Sequence, residues 1–254
     1  MTDQPTPDSG RLEQILKSVD QFKPMATRRD FMQKLALAGG GAAIAVASLG
    51  KVANVLASGN PVLDFVNAAV GAERIGIAFY GNALGKGSPY SVAGDAATST
   101  LLNSSHRRYF QAAFNQETSH LAALIGNGGS FQFGHFSFPP ETFATSGPML
   151  AMGQNLESIF IGAYLGAVKA GAMDGTSLGI FVAEVAAQIC GIECEHRVLI
   201  NDIAGIDPPN DRFYEGDALA PSGALGDTGA RSVVYTAANL AVDALVGLGI
   251  SPSA

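Results

Sequence analysis

Apolar positions recur at helical spacing along most of the chain, and strand-like alternation never persists beyond a few residues, so the pattern predicts an all-α fold. Asn60 can cap, and Pro61 suits the first turn, of a helix running to about Leu84. A Gly/Ser/Pro loop follows, from Gly85 to about Ala97. The second helix is expected from roughly Thr98 to Ile125 and is ended by Gly126-Asn127-Gly128-Gly129. A third runs from about Pro148 to Ala172, with a tight turn at Asp174-Gly175, and a fourth from about Thr176 to Ile203. A Pro/Asp/Gly-rich loop reaches Gly226, and a fifth, amphipathic helix, about Thr228 to Leu248, closes the chain.

Helices of about 25 residues span ~37 Å each. The irregular stretch between the second and third helices, Ser130 to Ser146, holds Phe131, Phe133, Phe136, Phe138 and Phe143 around Pro139-Pro140. With its flanking residues it can extend ~60 Å, enough to run the length of a bundle. The expected architecture is therefore an antiparallel pair, a long crossover pinned by its aromatic residues, and a second antiparallel pair.

On this frame four glutamates sit where apolar residues belong. Positions at offsets of 3, 4, 7 and 11 share a helix face. Glu73 shares its face with Val62, Val66, Ala69, Val70, Ile77 and Tyr80; Glu117 lines up with Phe110, Ala113, Phe114, Leu121 and Leu124. Glu157 falls among Leu150, Ile161, Tyr164 and Val168, and Glu193 among Val182, Ala186, Ile189 and Ile200. His120 and His196 follow Glu117 and Glu193 by three residues. An ionised carboxylate in a core needs a cation or a raised pKa. Two divalent ions would answer four carboxylates and two neutral imidazoles almost charge for charge, and this donor set suits Fe or Mn better than a thiolate-preferring metal. Glu184 and Glu195 fall on the opposite side from Glu193 and are expected at the surface.

The segments Glu73-Arg-Ile-Gly-Ile-Ala-Phe-Tyr80 and Glu157-Ser-Ile-Phe-Ile-Gly-Ala-Tyr164 match at the Glu, both Ile and the Tyr. Together with the two Glu-x-x-His motifs they read as a duplicated helix pair, which would set two ligand sets about a pseudo-twofold axis. Tyr80 and Tyr164, seven residues beyond their glutamates, read either as core packing or as hydrogen-bonding or redox-active neighbours of the site. His106 lies ~16 Å along the helix from Glu117, too far to share its ions, and His135 falls in a loop. Cys190, one turn before Cys194, reads as a small buried hydrophobe.

Composition sharpens this picture. Charged residues are only 15% of the 254, and the net charge of −7 argues against a binder of nucleic-acid backbones. Two cysteines build neither a disulfide framework nor a zinc ribbon. Thr27-Arg28-Arg29-Asp30-Phe31-Met32-Gln33-Lys34 precedes a weakly apolar run, Leu35 to Gly50, and resembles the twin-arginine export signal, with the usual Lys one position late. The alternative, a membrane anchor, falls short of the ~20 apolar residues a bilayer requires. Residues 1–57 are thus expected to be signal and linker, cleaved after Ala47 or Ala57, with 58–254 forming the domain. Seven basic and five acidic residues lie in that leader, leaving the remainder at −9. The signal implies the twin-arginine translocase as a partner and a periplasmic or otherwise extracytoplasmic location.

From about Asn60 to Gly205 the chain resembles exported ferritin-like di-metal proteins, near the branch that includes the plant desiccation-related proteins. Gly162-Ala-Tyr-Leu-Gly-Ala167 and Gly191-Ile-Glu-Cys-Glu-His196 read like that family's third and fourth helices. The resemblance implies a ferritin-like four-helix bundle with a long crossover and a fifth helix. Its two Fe or Mn ions would be held by Glu73 and Glu157, as terminal or bridging ligands, and by the pairs Glu117 with His120 and Glu193 with His196. Oxidase, ferroxidase or manganese catalase-like chemistry on O2 or H2O2 would follow. The alternative is a non-catalytic stress-related protein with a structural metal site. Relatives often carry a second carboxylate three residues after the first Glu, where this chain has Gly76. Whether the chain pairs as a homodimer is left open.

Overall fold

The computed structural model describes residues 59–92, 95–96, 101–207, 209–210 and 234–253, all within one compact unit. The export segment, its cleavage positions and most of the loop before the last helix lie outside the described residues. The chain forms α1 (Pro61–Ala83), α2 (Ser104–Gly126), β1 (His135–Ser137), α3 (Ser146–Asp174), α4 (Ser177–Ile203), α5 (Ala238–Gly247) and β2 (Ser251–Ser253). This is the expected all-α bundle: two antiparallel helix pairs, a crossover between them, and a fifth helix.

Helix ends follow from side chains able to satisfy the first backbone N–H groups. Asn60 Oδ1 accepts from Val62 N at 3.0 Å and Leu63 N at 3.2 Å, with Pro61 in the first turn. Thr176 Oγ1 accepts from Gly179 N at 3.1 Å to open α4. Gly175, with φ at 66°, is the left-handed residue that lets the chain reverse between α3 and α4.

Two helices start later than expected. Asn103, not a residue near Thr98, caps α2 by accepting from His106 N at 2.8 Å. Leu101 and Leu102 stay outside the helix, and Leu102 is buried in the core. The last helix begins at Ala238, because Val234 to Ala237 run non-helically and Tyr235 N donates to Gly162 O at 3.2 Å. That bond ties the approach to α5 onto α3.

α1 is the central helix: α2, α3 and α5 all pack on it, and nearly all of its residues are buried. The crossover is pinned as its aromatic residues suggested, with Phe136 and Phe138 in the core. Arg74 fixes it further, donating from one guanidinium nitrogen to Phe131 O at 2.9 Å and Phe133 O at 2.8 Å and lying 5.6 Å from the Tyr90 ring centre. One small element was not foreseen. His135 to Ser137, read as loop, pairs antiparallel with Ser251 to Ser253, so the C-terminus fastens the crossover. α3 and α4 are each long and apolar enough to cross a bilayer, with mean hydropathies of 1.2 and 1.5, yet both turn carboxylates into the shared interior.

Candidate metal centre

Glu73 on α1, Glu117 on α2, Glu157 on α3 and Glu193 on α4 meet mid-bundle, all at 1% exposure or less. A carboxylate at each helix's middle register, on the face that the apolar positions turn inward, can only arrive at one layer. His120 and His196 lie one turn away along α2 and α4. Because these helices run toward opposite ends, the two rings flank the carboxylate layer from opposite sides. All six residues named from the sequence are therefore brought together.

The donor atoms form two overlapping sets, each within 4.8 Å: Glu73, Glu117, His120 and Glu193; and Glu117, Glu157, Glu193 and His196. Glu117 and Glu193 belong to both. His120 Nδ1 lies 3.4 Å from Glu73 Oε2, 3.4 Å from Glu193 Oε1 and 3.8 Å from Glu117 Oε2. His196 Nδ1 lies 3.1 Å from Glu193 Oε2, 3.3 Å from Glu117 Oε1 and 3.7 Å from Glu157 Oε1. The internal repeat appears as reciprocal bonds: Tyr80 donates to Glu157 Oε1 at 2.5 Å, and Tyr164 donates to Glu73 Oε1. Each tyrosine thus holds the carboxylate of the other copy while its ring packs in the core, so the hydrogen-bonding and core-packing readings both hold.

Electrostatics set the protonation. Burial pushes Glu117 well above the ordinary carboxylate range, with the Glu193 and Glu73 charges adding to it. Burial likewise raises Glu157, with Glu193 next. For Tyr80 and Tyr164, burial and then the charges of Glu157 and Glu73 respectively raise the phenols further. Burial alone would lower both histidines. The carboxylates around His120 outweigh it and push the ring up to about 12, while the bond and charges from Glu193 and Glu157 push His196 up to about 9. Burial would raise Glu193, but the two histidines hold it down to about 2. Without a metal the cluster therefore holds protons in the place of cations.

Several donors stay unsatisfied all the same. Glu73 Oε2, both oxygens of Glu117, Glu157 Oε2, Glu193 Oε1 and His120 Nδ1 are buried with no hydrogen-bond partner. Buried polar atoms are rarely left so. Six orphaned donors converging on one volume, all oxygen or imidazole nitrogen, fit hard or borderline metal ions.

Two contributors escaped the sequence reading, and Gly76 gains a structural role. Gln116 Oε1 lies 2.9 Å from His196 Nε2. Arg74, next to Glu73, ties the crossover to the helix that carries the site. Gly76 leaves the room that Glu117 fills: a Cβ there would lie 2.9 Å from the Glu117 carboxyl carbon. An additional carboxylate at that position would have no space. The remaining candidates fall outside the cluster. His106 sits in the first turn of α2, with its ring 3.2 Å from Asn103 Nδ2. His135 is exposed in β1, and Glu184 and Glu195 are exposed on α4. Cys190 is buried, its Sγ 3.9 Å from Ile161 O, and Cys194 is half-buried.

Four helices bring four carboxylates and two Glu-x-x-His motifs together in one buried cluster that could hold metal, the donor arrangement of carboxylate helical bundles. A family model described as a ferritin-like domain matches residues 62–205, from the first turn of α1 to just past α4, and the chain belongs to that family. No curated protein and no solved structure matches the chain.

Proposed function

We propose that this is an exported ferritin-like protein that holds two Fe or Mn ions in the bundle core, with oxidase, ferroxidase or peroxide-consuming chemistry. The observation that carries the reading is the pair of overlapping donor sets, with Glu117 and Glu193 common to both. Shared carboxylates would bridge; Glu73 with His120, and Glu157 with His196, would complete the two ends. Bound there, two such ions would supply one-electron redox capacity and Lewis acidity toward O2 or H2O2.

The chain's own residues do the rest. Tyr80 and Tyr164 each hold one oxygen of a terminal carboxylate, which leaves its other oxygen facing the site. Loading requires His120 and His196 to give up their Nδ1 protons and Glu117 and Glu157 to give up theirs, so binding releases protons. Burial keeps bulk water away from the carboxylates. The twin-arginine-like segment supports a periplasmic or otherwise extracytoplasmic location, and the third- and fourth-helix motifs support a place near the desiccation-related branch.

A second reading is a structural metal site in a stress-related protein. It is favoured by closure: all four carboxylates are at 1% exposure or less, and structural metal sites are closed where catalytic ones keep a position open. Metal analysis of protein exported by its native host, followed by O2 and H2O2 consumption by the loaded protein, separates the two. Turnover of either oxidant is expected on the first reading and its absence leaves the second. Fewer than one metal per chain after loading would remove both. The double change Glu117→Ala with His196→Ala is expected to abolish binding, and retained stoichiometry would contradict the ligand set.

A further inference from the structure

The repeat that builds the site is broken in what surrounds it. Gln116 directly precedes Glu117, and its amide oxygen lies 2.9 Å from His196 Nε2, on the far side of the ring from the carboxylates. An accepting oxygen there requires hydrogen on Nε2 and so leaves Nδ1 to face the cluster. The bond survives whether Nδ1 carries a proton or a metal. His196 is further braced by the Tyr80 ring, edge-on with centres 5.6 Å apart, and its side chain is 2% exposed.

The position equivalent to Gln116 in the second motif is Ile192, which directly precedes Glu193 and has no group able to accept. His120 is 12% exposed, and its Nδ1, though buried, makes no hydrogen bond. Among the described residues, one imidazole is therefore locked from behind and the other has no such acceptor, although their ligand sets match.

Resting on the di-metal reading, we propose that Gln116 is a positioning residue that makes the two halves of the site unequal: the His196 half binds its ion first and holds it, and the His120 half is the exchangeable one. Hydrogen bonds to the outer nitrogen of a ligating histidine commonly change metal affinity ~10–100-fold, so the two binding steps should be separated on that scale.

Metal-free full-length protein is titrated with Mn2+, followed by calorimetry and electron paramagnetic resonance. Two steps at least ~10-fold apart are expected, with the spectrum of an isolated ion dominating up to one equivalent and that of a coupled pair growing only with the second. Gln116→Leu should weaken the first step and close the gap, and Gln116→Glu, which keeps an acceptor in place, should reopen it. Ile192→Gln works in the other direction, tightening the second step with the first unchanged, and decides the matter if Gln116→Leu does not fold. Equal steps in the unaltered protein, a gap untouched by Gln116→Leu, or a second step unmoved by Ile192→Gln would overturn the inequality. A protein that binds no Mn2+ would overturn the di-metal reading itself.

Discussion

The two ends of the bundle, on either side of the carboxylate layer, are packed by different means. Toward His196 the core is aromatic: Phe79 contacts the rings of Tyr80, Phe110, Phe138 and Phe143 with centres 5.2 to 6.3 Å apart, and the crossover closes over them. Toward His120 it is mainly aliphatic, built around Val62, Val66, Ala69, Leu121, Leu124, Val182 and Ala186, and it borders a pocket of about 60 Å3, partly open to the surface, lined by Leu124, Phe181 and Tyr164 among others. Large rings clamp what they touch, whereas an end that borders an open pocket leaves its side chains room to move. Duplicated ligands thus sit in unduplicated surroundings, and the two ends should respond differently to the same perturbation.

The broadest perturbation is pH in the metal-free protein. His196 and His120 have folded-state pKa values above the ordinary ~6.5 of an unfolded histidine, so each adds stability that is fully present below that value. The contribution is lost as pH rises through the folded pKa, about 9 for His196 and about 12 for His120. Denaturant midpoints of metal-free protein should therefore fall between pH 7 and pH 9.5. Metal-loaded protein, whose ligands are already deprotonated, should show no such fall. A metal-free midpoint that rises over this range would mean that the imidazoles are not the cluster's cations. Next in size, Phe79→Ala in the aromatic end should cost ~3–5 kcal/mol, while Leu124→Ala, which already borders the pocket, should cost only ~2 kcal/mol. Urea unfolding of both variants measures the contrast, and equal losses would erase it.

Gly76→Ala comes third. Its Cβ would crowd the Glu117 carboxyl, and overpacking of this kind costs ~1–3 kcal/mol. Because the crowded group is shared by both donor sets, Mn2+ affinity should drop in both steps together. A variant that binds metal as the unaltered protein does would show that Glu117 can move aside. The internal repeat sharpens the point: the position equivalent to Gly76 is Phe160, which is fully buried in the aromatic end. The same register position leaves room for a shared carboxylate in one copy of the repeat and fills core space in the other.

How much of this was legible follows from what each signal reports. Helical periodicity states which face a residue occupies, so four glutamates and two histidines could be placed on inward faces from spacing alone. Periodicity does not report what lies across a helix interface. Hence the reciprocal Tyr80–Glu157 and Tyr164–Glu73 bonds, the Gln116 contact to His196 and the Arg74 tie to the crossover became visible only in three dimensions. Helix starts failed where two local signals competed. Thr98 and Asn103 can both cap, and the burial of Leu102 outside the helix accompanies the later choice. The α5 start was masked in the same way, since Val234 to Ala237 are compatible with a helix until Tyr235 is drawn to Gly162.

The smallest expected difference concerns the two tyrosines. Tyr80→Phe and Tyr164→Phe each remove a donor from a buried carboxylate, and leaving such an acceptor unsatisfied costs ~1–3 kcal/mol. At the aromatic end nothing can replace the hydroxyl, because Phe79, Phe110 and His196 surround the Tyr80 ring. At the other end Tyr164 lines the pocket, whose volume exceeds the ~15 Å3 needed for one water. Its walls are mostly apolar, and the freed Glu73 oxygen would supply the polar partner that a water entering from the surface needs. Tyr164→Phe should therefore cost less than half as much as Tyr80→Phe in metal-free protein, read from urea unfolding. Equal costs would mean that the pocket supplies no water even beside an unpaired carboxylate, and that the looser packing of the His120 end does not extend to the site itself.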